Sequence, residues 1–255
     1  MHVMVYAAYG RAGIYMMQEY CRRLGIGTTE AELRDFGAVI DALSVEHPIA
    51  GVAKRTKDFS YPDALADALM HPQDRAFTVP QLHAWLERCG LEFARWIEQA
   101  PYLPQCGVIA RMPHAARLAA LSPLEQHAAI ELLRGTMTKH NFIAYRDDRP
   151  GKAQPIDFSG DAWRGWIPLR LPWTRCVREG VPHGVAAILI NPTHTYADLA
   201  LPIDAGQEKI YAAIDGKRPI RQIVQDTASG DEKARRFFEQ LWQHDQIIFE
   251  ATDAH

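Results

Sequence analysis

The stretch MHVMVYAAYGRAGIYMMQEYCRRLGI, Met1–Ile26, reads as strand, turn and helix in one continuous unit. Met1–Ala8 is a short apolar run rich in Val and Tyr, closed by Gly10 and Gly13, the pattern of a strand covered on both faces of a sheet. Ile14, Met17, Cys21 and Leu24 then recur at helical spacing, and Gly25 stands where a helix stops. A strand passing directly into a helix points to an α/β sheet, and a chain that opens on an interior strand is expected to have that strand's neighbours missing.

Further along, Leu33, Phe36, Val39, Ile40 and Leu43 give Thr29–Leu43 a helical repeat, which His47-Pro48 breaks. Lys54–Ala68 reads as polar and turn-prone, and Leu69–Arg75 as a loop. Thr78 and Gln81 form a capping-box pattern ahead of an apolar stripe of Leu82, Trp85, Leu86 and Cys89, which ends at Gly90. Leu91–Glu98 is then expected as a strand, Ala100–Gly107 as a loop, Pro113–Arg134 as one or two helices, and Phe142–Tyr145 as a last strand. The charged run Arg146–Arg149 followed by Pro150-Gly151 is the best boundary, dividing the chain into 1–150 and 151–255.

The second part has short elements: a strand over Val185–Ile190, a turn at Asn191–His194, and helices over Ala205–Ile214 and Glu232–Gln243. In the last helix Ala234, Phe237, Phe238, Leu241 and Trp242 share one face, and Ile247–Glu250 follows as a strand. Helices followed by a strand suggest a small winged-helix-like tail behind a linker.

Composition narrows the function classes. With 255 residues, 47% of them hydrophobic, the chain is globular, and it carries neither a membrane-length apolar run nor a signal peptide. The four cysteines form no C-x-x-C pair, and two of them fall on apolar helix faces, which points to a reduced, cytoplasmic protein. A net charge of −3 gives no general attraction to nucleic acid or to an acidic membrane. The eleven histidines include no H-x-H or H-E-x-x-H spacing, so no metal site is expected.

Two of these stretches, the opening one and LMHPQDRAFTVPQLHAWLERCGLEF (Leu69–Phe93), together resemble the C-terminal half of class I S-adenosylmethionine-dependent methyltransferases. The resemblance covers roughly the first 150 residues. It implies a partial Rossmann-like sheet whose last two strands are Leu91–Glu98 and Phe142–Tyr145, with an inserted helical segment between them. The tail piece IDGKRPIRQIV is similar to the helical part of tail domains fused to some methyltransferases. The family's cofactor is S-adenosylmethionine, but its glycine-rich loop G-x-G-x-G has no counterpart here, and Gly25-Ile26-Gly27 lies after a helix. The chain alone is therefore expected neither to bind the cofactor nor to be active. A truncated product, a mis-started frame and one half of a split protein all fit that expectation.

In that architecture the substrate lies beyond the carboxyl ends of the strands, which places the turn after the first strand at the site. Tyr6, Tyr9, Arg11 and Tyr15 are the candidates there, the tyrosines as hydrogen-bonding walls and Arg11 as an anchor for an anionic substrate. The plainer alternative makes Tyr6 and Tyr15 core residues and Arg11 a solvated turn charge. His71, Asp74 and Arg75 form a second candidate cluster, with a His–Asp general base set against a local Asp74–Arg75 pair. His183 and His194 flank a predicted hairpin and are read as structural. The interleaved Trp163, Arg164, Trp166, Arg170, Trp173, Arg175 and Arg178 read as a linker packing its tryptophans on a domain rather than as a nucleic-acid surface. No catalytic residue is assigned, and the methyl acceptor is open. The rival reading is a non-catalytic module that binds a protein or peptide, and an uncovered first strand would favour self-association or a partner that completes the sheet.

Overall fold

The computed structural model describes residues 1–54, 59, 61–71, 73–149 and 156–250. They form two compact units, one of residues 1–96 and 127–147 and the other of residues 97–126 and 148–255. The sequence boundary at 150 places 97–126 with the first part; in the structure this segment belongs to the second unit. Pro150 and Gly151 themselves lie outside the described residues.

The first unit is built on a four-stranded sheet. Its strands are β1 (His2–Ala7), β2 (Ala76–Phe77), β3 (Leu91–Trp96) and β4 (Lys139–Arg146), in the order β2-β1-β4-β3. β1 runs parallel to β2 and antiparallel to β4, which is also antiparallel to β3. The expected last two strands are therefore β3 and β4, side by side. β1 is not covered on both faces as its sequence suggests, because Met4 is 49% exposed while Val3 and Val5 are partly buried. His2 and Met4 share the exposed face, and the apolar Met4 there makes the run look covered on both sides.

Helices α1 (Ala12–Leu24), α2 (Glu30–Ala42), α3 (Pro48–Ala53) and α4 (Pro62–Met70) follow β1. Ile14, Met17 and Cys21 of α1 pack with Phe36 and Ile40 of α2, Ile49 and Val52 of α3, and Leu65 and Leu69 of α4. Burial pushes the Cys21 thiol up to about 11, so it is a packing group. Two of these helices depart from the sequence reading: Pro48 does not simply break the chain, and Pro62–Met70, read as turn-prone chain to Ala68 and loop from Leu69, is helical. In both, the proline occupies the first helical turn, where its missing N–H is harmless. α5 (Val79–Arg88) has the expected Thr78–Gln81 capping box. Leu24, Val39 and Cys89, all expected on buried stripes, are exposed.

The second unit contains α6 (Ala115–Ala119), a two-stranded and a three-stranded sheet, and three C-terminal helices. α7 (Pro123–Arg134) begins in this unit and continues into the first. β5 (Ile167–Arg170) pairs with β9 (Ile247–Glu250), and β6 (Arg175–Val177), β7 (Ala187–Ile190) and β8 (Leu201–Ile203) form the other sheet. α8 (Ala205–Ala212), α9 (Ile220–Thr227) and α10 (Asp231–Gln243) enclose the core with Phe237, Phe238, Leu241, Ile220 and Trp163. The stretch read as a linker is thus part of this unit: Trp163 is in its core, Trp166 packs against that core, and Trp173 is exposed.

Candidate functional site

The turn between β1 and α1 is held tightly from both sides. A Cβ at Gly10 would lie 1.9 Å from the carbonyl oxygen of Met137, and one at Gly13 would lie 2.4 Å from the backbone nitrogen of Ile49. Both glycines are required for close backbone approach, since neither has a positive φ. This packing turns the Arg11 side chain inward, to 6% exposure.

Arg11 forms an ion pair with Asp74, and the two side chains are only 7% and 3% exposed. The guanidinium also lies over the Tyr6 ring, 3.6 Å from its centroid, and 5.7 Å from that of Tyr15. The Tyr15 hydroxyl donates to Asp74 Oδ1 at 3.4 Å, and Gln18 Nε2 donates to Asp74 Oδ2 at 2.9 Å and to the Ala68 carbonyl at 3.1 Å. Burial raises the pKa of Tyr15, which keeps its phenol protonated as a donor. The Arg11 Nε has no hydrogen-bond partner among the described residues.

Of the residues singled out from the sequence, Tyr6, Arg11, Tyr15 and Asp74 come together. Arg11 is not a solvated turn charge, and Asp74 pairs with Arg11, 63 residues away, rather than with its neighbour Arg75. Tyr9, His71 and Arg75 stand outside the cluster. Tyr9 is exposed, His71 accepts the Gln73 N–H at 3.1 Å, and Arg75 lies 4.9 Å from the Phe77 ring centroid. Gln18 is a member that sequence reading missed. Its signal is positional: Arg11, Tyr15 and Gln18 follow one another at i, i+4 and i+7, on one side of α1.

A second buried group in the same unit also escaped the sequence. Glu131 Oε2 accepts the Val79 N–H at 2.8 Å, and its Oε1 lies 3.1 Å from His140 Nε2, which is also 3.1 Å from the Phe77 carbonyl. The carboxylate satisfies an orphan donor at the start of α5, so its role is to fix that helix. Nearby, Trp96 Nε1 donates to His127 Nδ1 at 3.2 Å, and burial together with His83 pushes His127 down to about 4. In the second unit His194 Nε2 lies 2.9 Å from Asp245 Oδ2, which also accepts the Ala100 N–H at 2.9 Å; His183 is exposed. Among the described residues no three His, Cys, Asp or Glu side chains are grouped to hold a metal ion, and no helix is long and apolar enough to cross a membrane.

No family model matches the chain. The uncharacterized protein syc1184_c of Synechococcus sp. is 26% identical over 156 residues, covering 59% of this chain and 37% of that protein. The structure of PKMT2 from Rickettsia typhi matches 98% of this chain and 51% of its own, at 9% identity and a TM-score of 0.59. The same protein in complex with AdoHcy matches 98% of this chain and 52% of its own, at 12% identity and a TM-score of 0.58. The chain shares the α/β fold of these PKMT2 structures. It spans about half the length of the solved structures and 37% of the curated relative.

At the turn after β1 the described residues do not form a nucleotide cradle. Among the described residues this turn is the one strand-to-helix junction with paired glycines, and the space beside Gly10 is filled by the Met137 backbone and that beside Gly13 by the Pro48 and Ile49 backbone. A loop that cradles a nucleotide needs that space open to the ligand.

Proposed function

We propose that this chain is the substrate-side portion of an S-adenosylmethionine-dependent methyltransferase, with the cofactor bound by a separate portion or polypeptide. The observation that carries the reading is the open edge of β1. Ala7 donates to Thr138 and Met1 exchanges bonds with Ala144, so the odd residues Met1, Val3, Val5 and Ala7 face β4. The even residues face β2, which pairs only at Tyr6 and Ala7. Among the described residues no strand lies beside His2 and Met4 on that side. A further strand there, from a separate portion or polypeptide, would extend the sheet toward a cofactor-binding half.

In this reading Arg11 and Asp74 act as positioning residues, fixing the Tyr6–Tyr15 wall at the carboxyl end of β1, and Tyr9 on the exposed turn meets the acceptor. α8, α9 and α10, with β9 paired to β5 and the short turn Ala228–Gly230 between α9 and α10, support a winged-helix-like tail. The burial of the Arg11 cluster favours the second reading, a non-catalytic protein- or peptide-binding module, because a fully packed ion pair reaches no substrate directly.

Calorimetric titration with AdoHcy separates the two readings. The isolated chain is expected to give no saturable heat, while the tagged chain purified with its partner from the cell that encodes it binds AdoHcy. Saturable binding by the chain alone would overturn the placement of the cofactor site, and a stable complex that binds no AdoHcy would favour the non-catalytic module.

A further inference from the structure

We infer that the contact between Trp96 and His127 is a pH-operated latch, closed while the imidazole is neutral and released by its protonation. The chain leaves the first unit after Trp96 and returns to it at His127, so the hydrogen bond from Trp96 Nε1 to His127 Nδ1, at 3.2 Å, pins together the two ends of the segment 97–126. The indole N–H can only donate, and Nδ1 accepts only without a proton of its own. The bond therefore fixes the neutral ring with its proton on Nε2. An imidazolium would turn a second N–H toward the first and leave the indole donor unpaired on a residue that is 2% exposed.

The surroundings oppose a charge on this ring. Between centroids, His127 lies 5.6 Å from Trp96 and 6.3 Å from Phe93. On α5, His83 lies 4.8 Å from the Phe93 centroid, and its buried Nε2 has no hydrogen-bond partner among the described residues. Burial holds both histidines below their ordinary pKa, and His83 adds like-charge repulsion on His127, which is pushed down to about 4. The other charged groups of the packed elements are engaged or exposed. On β3, Arg95 Nε donates to the Trp96 carbonyl, and Glu131 of α7 accepts the Val79 N–H and faces His140 of β4. Glu92 of β3 and Glu87 and Arg88 of α5 are exposed.

α7 is held at two places, which makes the opening local. Protonation of His127 breaks its bond to Trp96, whereas Glu131, one turn further on, keeps the Val79 N–H and His140. The N-terminal turns of α7 are then released while its other end stays docked. In the opened form His127 returns to its ordinary 6.5, so between pH 6.5 and 4 the open population rises by up to about tenfold for each unit the pH falls. The latch is independent of the methyltransferase reading, because it lies wholly in the first unit and uses no residue of the Arg11 cluster.

The test is nuclear magnetic resonance of the full chain from about pH 7 to about pH 4. The Trp96 indole N–H and the amides of residues 127–130 are expected to be less protected from hydrogen exchange than the amides of His140 and Phe142, which pair with β1, and to lose protection by up to about tenfold per pH unit. His127→Gln, which keeps an uncharged acceptor, should remove that pH dependence. In the unsubstituted chain the indole resonance should shift in the same step as the His127 ring protons. Protection at Trp96 and 127–130 equal to that at His140 and Phe142 would mean that the contact opens only with the whole unit, and would overturn the latch. So would protection that does not vary with pH, a pH dependence that persists in His127→Gln, or an indole resonance that stays fixed while His127 titrates.

Discussion

Arg11 and Asp74 are 63 residues apart in the chain, yet they form an ion pair almost wholly withdrawn from solvent. The pair ties the turn after β1 to the segment leading into β2, and Gln18 extends the tie to the end of α4 through Ala68. Removing one charge would strand the other inside the protein. Arg11→Ala or Asp74→Ala is therefore expected to cost about 3 to 5 kcal/mol in urea unfolding, while Arg11→Met with Asp74→Leu together costs much less. A loss in the double variant equal to the sum of the two single losses would show that the charges are not coupled.

The His127 ring should make the first unit acid-sensitive. Its pKa is pushed down to about 4 in the fold from an ordinary 6.5, so the unfolded chain binds the proton more readily between those values. The stabilising contribution is complete above pH 6.5 and is lost as the pH falls toward 4, at up to roughly 1.4 kcal/mol per pH unit. Unfolding measured across this window should show that slope, and His127→Phe should flatten it. A slope unchanged in the variant would place its origin elsewhere.

Within the second unit the segment 97–126 should be needed for the stability of the C-terminal helices. Gln99 Nε2 donates to the Trp242 carbonyl at 2.8 Å, and the Ala100 N–H donates to Asp245. Asp245→Ala leaves that N–H and His194 unpaired in a buried site, at an expected cost of about 2 to 4 kcal/mol. Phe238→Ala, in a fully buried position, should cost about 3 to 5 kcal/mol in the same melt. An unchanged melt in either variant would show that its site is not packed in solution.

The open edge of β1 makes a residue-by-residue forecast for hydrogen exchange. The amides of Val3 and Val5, which face β4, should exchange slowly, and those of His2 and Met4 quickly. Met4→Lys, which places a charge at the exposed position, should reduce any self-association seen by light scattering. Slow exchange at His2 and Met4 in a monodisperse monomer would mean that the edge is already covered.

Much of the local structure could be read from the chain itself, because its causes are local. The Thr78–Gln81 box, the amphipathic spacing of α10 and the Gly25 stop of α1 depend on residues a few positions apart, and all appear where the sequence places them. The two helices that begin at Pro48 and Pro62 were obscured because proline serves equally as a breaker and as a first-turn residue. Tyr6, Arg11, Tyr15 and Asp74 could be named one by one, but their union depends on a pairing across 63 residues. Neither charge has a local cue that would distinguish burial from solvation. The same holds for Glu131 with His140 and for Asp245 with His194. Periodicity records which face of an element is apolar; which buried polar groups neutralise one another is decided only when distant segments exclude water between them.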